Sequence, residues 1–334
     1  MSRSGKLLVA MTVLVMALPQ DAWAVKKLAQ TGMKWLSIPV GARAVGMGSA
    51  VTTLDGDLTT VFWNPAGMAH ISGSGFAFSN VAWIADINHM AASAAYRVND
   101  RLVLSASMVS VDYGLINATI RANNENGYVD LGTFSPTGMS LGLGIASAIS
   151  DKFSVGGVFK YCYEDLGTAY TSTNLAEGEI EDVAMTLGVP AFDFGTLFYP
   201  GFGDLRIGMS LTNFSQEKSY VAESFPLPLT FRLGTAMDVI GFFNEGSNQA
   251  LTLSLDLIHP RDYTERLHMG AEYWFSHMIA LRAGYKTNYD DENFSIGAGL
   301  KHSLGPIEFE FDYAFNNFTT FNPVHLFTIG LSVK

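Results

Sequence analysis

Apolar and polar residues take turns along this chain, in run after run. Ile307, Phe309, Phe311, Tyr313 and Phe315 alternate with Glu308, Glu310 and Asp312. Leu251, Leu253, Leu255 and Leu257 alternate with Thr252, Ser254 and Asp256. Phe153, Val155, Phe159, Tyr161 and Tyr163 share one phase, and Ser154, Gly156, Val158, Lys160 and Cys162 the other. A period of two is the signature of a strand with unlike faces. Fourteen such runs are expected, at 75–83, 88–98, 101–112, 136–149, 152–164, 183–199, 203–213, 227–240, 249–259, 264–275, 278–287, 292–303, 306–316 and 324–334. The chain is therefore expected to be all-β.

A two-sheet sandwich alternates too, but it carries charge freely on its outer faces. Here the polar phase mixes small residues with charges of both signs, as a wet lumen does. Lys160, Arg206, Arg232, Asp256, Arg266, Glu272, Arg282, Lys286, Lys301, Glu308, Glu310 and Asp312 are the expected lumen-facing polar set. Aromatics gather near run ends, at Tyr273–Phe275 and at Tyr313 and Phe315, as interfacial girdles do. The chain is 48% hydrophobic and 15% charged, whereas about a quarter of residues are charged in ordinary soluble domains. The connections also favour a transmembrane antiparallel barrel. Tight turns (99–100, 150–151, 276–277, 304–305) alternate with longer loops (113–135, 165–182, 214–226), the pattern of outer-membrane barrels. Pro190 interrupts the sixth run, where a bulge or split fits.

Arg3 and Lys6, an apolar stretch from Leu7 to Leu18, and Ala22-Trp23-Ala24 predict an export signal over 1–24. The expected location is the bacterial outer membrane, with its lipid as one partner. A net charge of −11 argues against nucleic acid as a partner. The single cysteine, Cys162, excludes an internal disulfide framework.

Residues 25–74 do not alternate. Lys26 to Trp35 is compatible with a short helix, and Gly41, Arg43, Gly46 and Gly48 lie in a Gly/Ala-rich stretch suited to close backbone packing. Trp63, Asn64, Pro65, Ala66 and Gly67 follow. Asn is a good helix N-cap and Pro fits the first helical position, so a short helical turn starts here and ends near Gly73. A fourteen-stranded barrel leaves a hole, so 25–74 is expected to be an internal plug that begins on the periplasmic side, with 75–334 as the barrel. A capped turn outside the barrel is the local alternative.

The stretches "GARAVGMGSAV" and "DGDLTTVFWNPAGMA", with "HPRDYTERLHMGAEYWF" and "IALRAGYKTNYDDENFSIGAGLK" later in the chain, resemble the PorV/PorQ family of outer-membrane barrels, similar in fold to FadL fatty-acid transporters. The resemblance implies that Asn64, Pro65 and Ala66 belong to the plug. It also implies a part in type IX secretion, with C-terminal domains of exported cargo and surface-attachment or translocon proteins as partners. Loops 113–135, 165–182 and 214–226, with Phe134, Tyr170 and Phe225, would then grip the cargo. The alternative is a FadL-like conduit for a hydrophobic ligand, and a structural member without transport is the third reading.

Neither catalysis nor a cofactor is expected. His259, Asp262, Glu265 and His268 lack the spacing of an H-E-x-x-H helix and read as rim or lumen residues. There is no G-x-S-x-G elbow and no phosphate loop.

Overall fold

The computed structural model describes residues 30–121, 123–174, 179–244 and 246–333; the expected export signal at 1–24 lies outside them. Its strands are β1 (Ser74–Ala82), β2 (Asn88–Arg97), β3 (Leu102–Asp112), β4 (Ile116–Arg121), β5 (Tyr128–Phe134), β6 (Thr137–Ser150), β7 (Phe153–Asn174), β8 (Glu179–Phe198) and β9 (Arg206–Ser215). They continue as β10 (Lys218–Ser219), β11 (Ser224–Phe225), β12 (Thr230–Asp238), β13 (Gln249–Pro260), β14 (Arg266–Phe275), β15 (Ile279–Lys286), β16 (Glu292–Leu304), β17 (Ile307–Phe318) and β18 (Val324–Val333). Fourteen of these form one closed antiparallel barrel, because β1 pairs with both β2 and β18. The pairs β4–β5 and β10–β11 are separate two-stranded ribbons within loops.

The wall has an oily outside and a polar inside. On β15, Leu281 is 59% exposed, while the side chain of its neighbour Arg282 is 0% exposed. Phe159, Phe194, Ile296, Leu300, Phe311 and Ile329 are likewise exposed, and Asp256, Glu272 and Asp312 are buried. In water such an exterior would be an aggregation hazard; in a bilayer it is the matching surface. Every strand edge is paired around the ring, which satisfies the backbone where no water reaches.

Short turns, such as 151–152, 276–278 and 305–306, mark one end of the barrel. Longer connections mark the other. Two regions differ from the expected loops. The stretch 165–182 was expected as a loop, but β7 and β8 run on through most of it as a paired ribbon beyond the other strands. The connection 239–248 holds a short helix, Val239–Phe243, capped by the Asp238 carboxylate. Pro190 lies within β8, and the ladder to β9 stops at Ala191, one residue short of it. A bulge follows, with Asp193 facing Thr212 and Asn213; Asn213 has φ 64° and donates its N–H to Asp193. The missing proline donor thus falls where that ladder has ended.

Candidate functional site: a plug bonded to the lumen wall

Residues 30–73 lie inside the barrel and descend it. At the loop end, Gly32 donates its N–H to the Pro226 carbonyl. Met33 and Trp35 pack there with Val111, Cys162, Val189 and Leu227. The helical turn Ala42–Gly46 comes next, against β15–β18. The turns Leu58–Phe62 and Pro65–His70 pack lower, the second against β6–β8. Ser74 then opens β1. The expectation that the plug begins on the periplasmic side is therefore corrected: its first described residues are at the outer end. The reason is apolar burial, since Trp35, Leu36 and Ile38 cover the inner apolar patch of the wall beneath the loops. The helix expected over 26–35 is also corrected for its described part. Met33 is left-handed at φ 49°, and helical geometry covers only Lys34–Ser37.

Asn64 is fully buried and uses its whole amide. Its Oδ1 accepts from the Ala66 N–H at 3.1 Å, capping the turn that Pro65 opens. Its Nδ2 donates to the Thr52 carbonyl at 2.7 Å and to the Thr196 carbonyl on β8 at 3.0 Å. A cap residue thus also ties plug to wall. Trp63 donates Nε1–H to the Val40 carbonyl at 2.9 Å, and the Arg232 guanidinium lies 4.9 Å from its ring centroid. The turn closes at His70, earlier than the expected Gly73.

Arg43 is the electrostatic anchor. It grips Glu272 of β14 with two bonds, Nε at 2.8 Å and Nη2 at 2.7 Å, and Asp57 of the plug with Nη1 at 3.1 Å. Burial alone would lower the Arg43 pKa, but the Glu272 and Asp57 carboxylates hold it well above its ordinary value. Burial likewise opposes ionisation of Asp57, yet Arg43 and the Thr59 hydrogen bonds hold its pKa below the usual range. Glu272 also accepts from Arg282, which reaches Asp312 at 2.5 Å. Lys301 faces Glu308 at 2.8 Å and Glu310 at 4.0 Å. Thr52 donates N–H and O–H to Asp256. Arg206 pairs with Asp55 of the plug, Lys160 with Asp193, and Lys286 with Glu292. Arg266 stacks over Tyr263 and Tyr289. The twelve expected lumen residues all project inward, and eight of them (Arg206, Arg232, Asp256, Glu272, Lys301, Glu308, Glu310 and Asp312) belong to contacts or recesses shared with the plug. Two recesses of about 120 and 160 Å³ flank Arg43, room for a few waters beside this charged layer.

The wall residues that admit the plug were not singled out from sequence. They are glycines. A Cβ on Gly284 would sit 1.9 Å from the Gly48 nitrogen, and one on Gly195 would sit 1.9 Å from Asn64 Oδ1. Gly156 faces Pro65, Gly208 and Gly234 face Thr52, Gly270 faces Met47, and Gly297 faces Gly46. These seven follow one another around the wall on β7, β8, β9, β12, β14, β15 and β16; on β13, between β12 and β14, Asp256 binds Thr52 instead. On the plug side, Gly48 has φ 63° and Gly41 φ 88°, values that favour glycine. The sequence signal was available: each wall glycine sits in the polar phase of its strand.

The four residues considered as metal ligands separate. His259 and Glu265 pair with each other in an exposed position, Asp262 accepts from Thr31 and Lys34, and His268 lies in the lumen against Ser49 and Tyr289. Of the three loop aromatics, Phe134 lies over Gly167, and Phe225 covers Gly32 and packs on Tyr220. The side chain of Tyr170 is outside the described residues.

No family model matches the chain, and no curated protein does. Solved structures do. The toluene transporter TbuX of Ralstonia pickettii is 13% identical, with a TM-score of 0.57, over 88% of this chain and 98% of its own. The Pseudomonas putida toluene transporter TodX is 11% identical, with a TM-score of 0.58, over 92% and 99%. A FadL homologue of Pseudomonas aeruginosa is 12% identical, with a TM-score of 0.51, over 89% and 98%. At these identities the likeness is one of fold: this chain has the fold of FadL-type outer-membrane barrels.

Proposed function

We propose that this chain is an outer-membrane conduit for hydrophobic small molecules, working by binding and passage without chemistry on the ligand. One observation carries the reading. The plug stacks a packed apolar cluster at the loop end (Met33, Trp35, Val111, Val189, Leu227) above a layer of buried charge centred on Arg43. An apolar solute gains by entering the upper layer, and the lower layer resists leakage through the barrel. The fold shared with hydrocarbon transporters supports the same reading. Outer-membrane lipid is the partner of the exterior.

Reception of secreted cargo, with attachment or translocon proteins as partners, is the reading the PorV/PorQ resemblance favoured. It has less support, because Phe134 and Phe225, two of the aromatics assigned to grip a partner, are spent on contacts within the chain.

The test is uptake of toluene into proteoliposomes that hold a toluene-oxidising enzyme. Oxidation faster than in protein-free vesicles is expected. An unchanged rate, together with recovery of exported proteins on affinity purification from outer membranes, would replace the conduit with the secretion reading.

A further inference from the structure

We infer that His89 is the polar handle of a ligand site at the apolar seam between plug and wall near the loop end, and that the preferred ligand is an apolar molecule bearing one hydrogen-bonding group, such as a phenolic hydroxyl. The inference rests on the conduit reading and adds a ligand class to it.

His89 is 0% exposed, yet neither Nδ1 nor Nε2 has a hydrogen-bond partner. Buried polar groups are nearly always paired, because an orphaned one forfeits its bonds to water without replacing them. Other histidines of the chain show the usual solution. His268 bonds Ser49 and Tyr289, and His70 bonds Ser154. His89 alone among these keeps two free ring nitrogens in an apolar setting. Its cross-strand neighbours are Val81 on β1 and Val111 on β3. Val81 belongs to the cluster of Ala42, Val45 and Leu326, and Val111 to the cluster of Met33, Trp35 and Leu227. Ile38 of the plug packs on both clusters. His89 therefore marks the seam between two apolar masses, where the plug and the wall meet. The turn 83–87 lies directly above, with Ala85 at φ 57° and Asp86 at φ 60° in succession.

A neutral imidazole offers one donor and one acceptor. A small aromatic that parts the seam buries its ring among Val81, Val111 and Ile38, and its hydroxyl completes the bonding that His89 lacks. A pure hydrocarbon leaves the imidazole as it was. Discrimination by a buried group that needs a partner is stronger than discrimination by fit alone.

Toluene and p-cresol differ by one hydroxyl, so they are the probes. Their dissociation constants are measured by calorimetry with the full chain in nanodiscs, for the wild type, His89→Leu and His89→Gln. The ratio between ligands, compared across variants, cancels partitioning into lipid. The wild type is expected to favour p-cresol about tenfold more than His89→Leu does, the size of one good hydrogen bond. His89→Gln should keep part of the preference, and toluene binding should persist in all three. Equal ratios in wild type and His89→Leu overturn the role of His89 and leave the conduit standing. Binding of neither probe by the wild type overturns both. Heat-modifiable migration on gels verifies that each variant is folded, and His89→Leu, which removes an orphaned polar group, should be at least as stable as the wild type.

Discussion

Asn64 shows how much one side chain does here. Sequence reading places it as a helix cap, and the cap bond is present. The two donor bonds of its Nδ2 were beyond reach, because Thr196 stands 132 residues away on another strand. Asn64→Ala should therefore cost more than a cap, about 2 kcal/mol rather than ~1. Asn64→Asp separates the roles: it keeps the acceptor for the Ala66 N–H but turns a carboxylate toward two carbonyls. Urea unfolding in lipid vesicles should show Asn64→Asp no more stable than Asn64→Ala; a wild-type midpoint for Asn64→Asp would mean the cap alone matters. His70 supplies a pH dependence at the same scale. Burial lowers its pKa from 6.5, against the pull of Asp55, so the folded state favours neutral imidazole. Above pH 6.5 both states are neutral. Below it the unfolded chain takes up the proton first, so stability is lost as pH falls from 6.5 through the lower folded value. His70→Gln, which retains a partner for Ser154, should flatten the difference between unfolding midpoints at pH 7.5 and pH 5.

Elements differ in how plainly they can be read. The fourteen wall strands are legible because oil and water on opposite sides impose a period of two, and residues such as Leu281 and Arg282 report it in adjacent letters. Beyond the bilayer both faces of a strand meet water and the period fades. That is why 165–174 and 179–182 read as loop although they continue β7 and β8. The plug was legible as a compact segment because its Gly, Ala and Asn-Pro positions suit turns and close packing. Its direction was not, since no periodicity fixes which end of the lumen Trp35 seeks. The wall glycines were visible only as small residues in the polar phase; what they admit is decided by backbone hundreds of residues earlier, as with Gly284 and Gly48. Gly284→Ala should destabilise the folded barrel by about 1–3 kcal/mol through overpacking against backbone and make the plug more accessible to protease. Gly330→Ala is the matched control. A Cβ there meets only Glu310 Cβ at 3.5 Å, ordinary contact, so near-neutral behaviour is expected. Equal protease sensitivity of the two variants would mean that the plug does not bear on the glycine ring.

For the whole molecule, three layers divide the work: an oily exterior, a glycine-and-charge ring that fastens the plug, and a packed apolar cluster beneath the loops. The central claim is that the barrel is sealed by its own N-terminal segment, so that hydrophobic solutes enter while ions do not cross. The most direct measurement is the current through a planar lipid bilayer carrying the full chain in potassium chloride. A sealed barrel predicts no ion-conducting steps from the wild type. Steady porin-like steps from the wild type would contradict the account, since a fourteen-stranded wall that conducts is one whose lumen the plug does not fill.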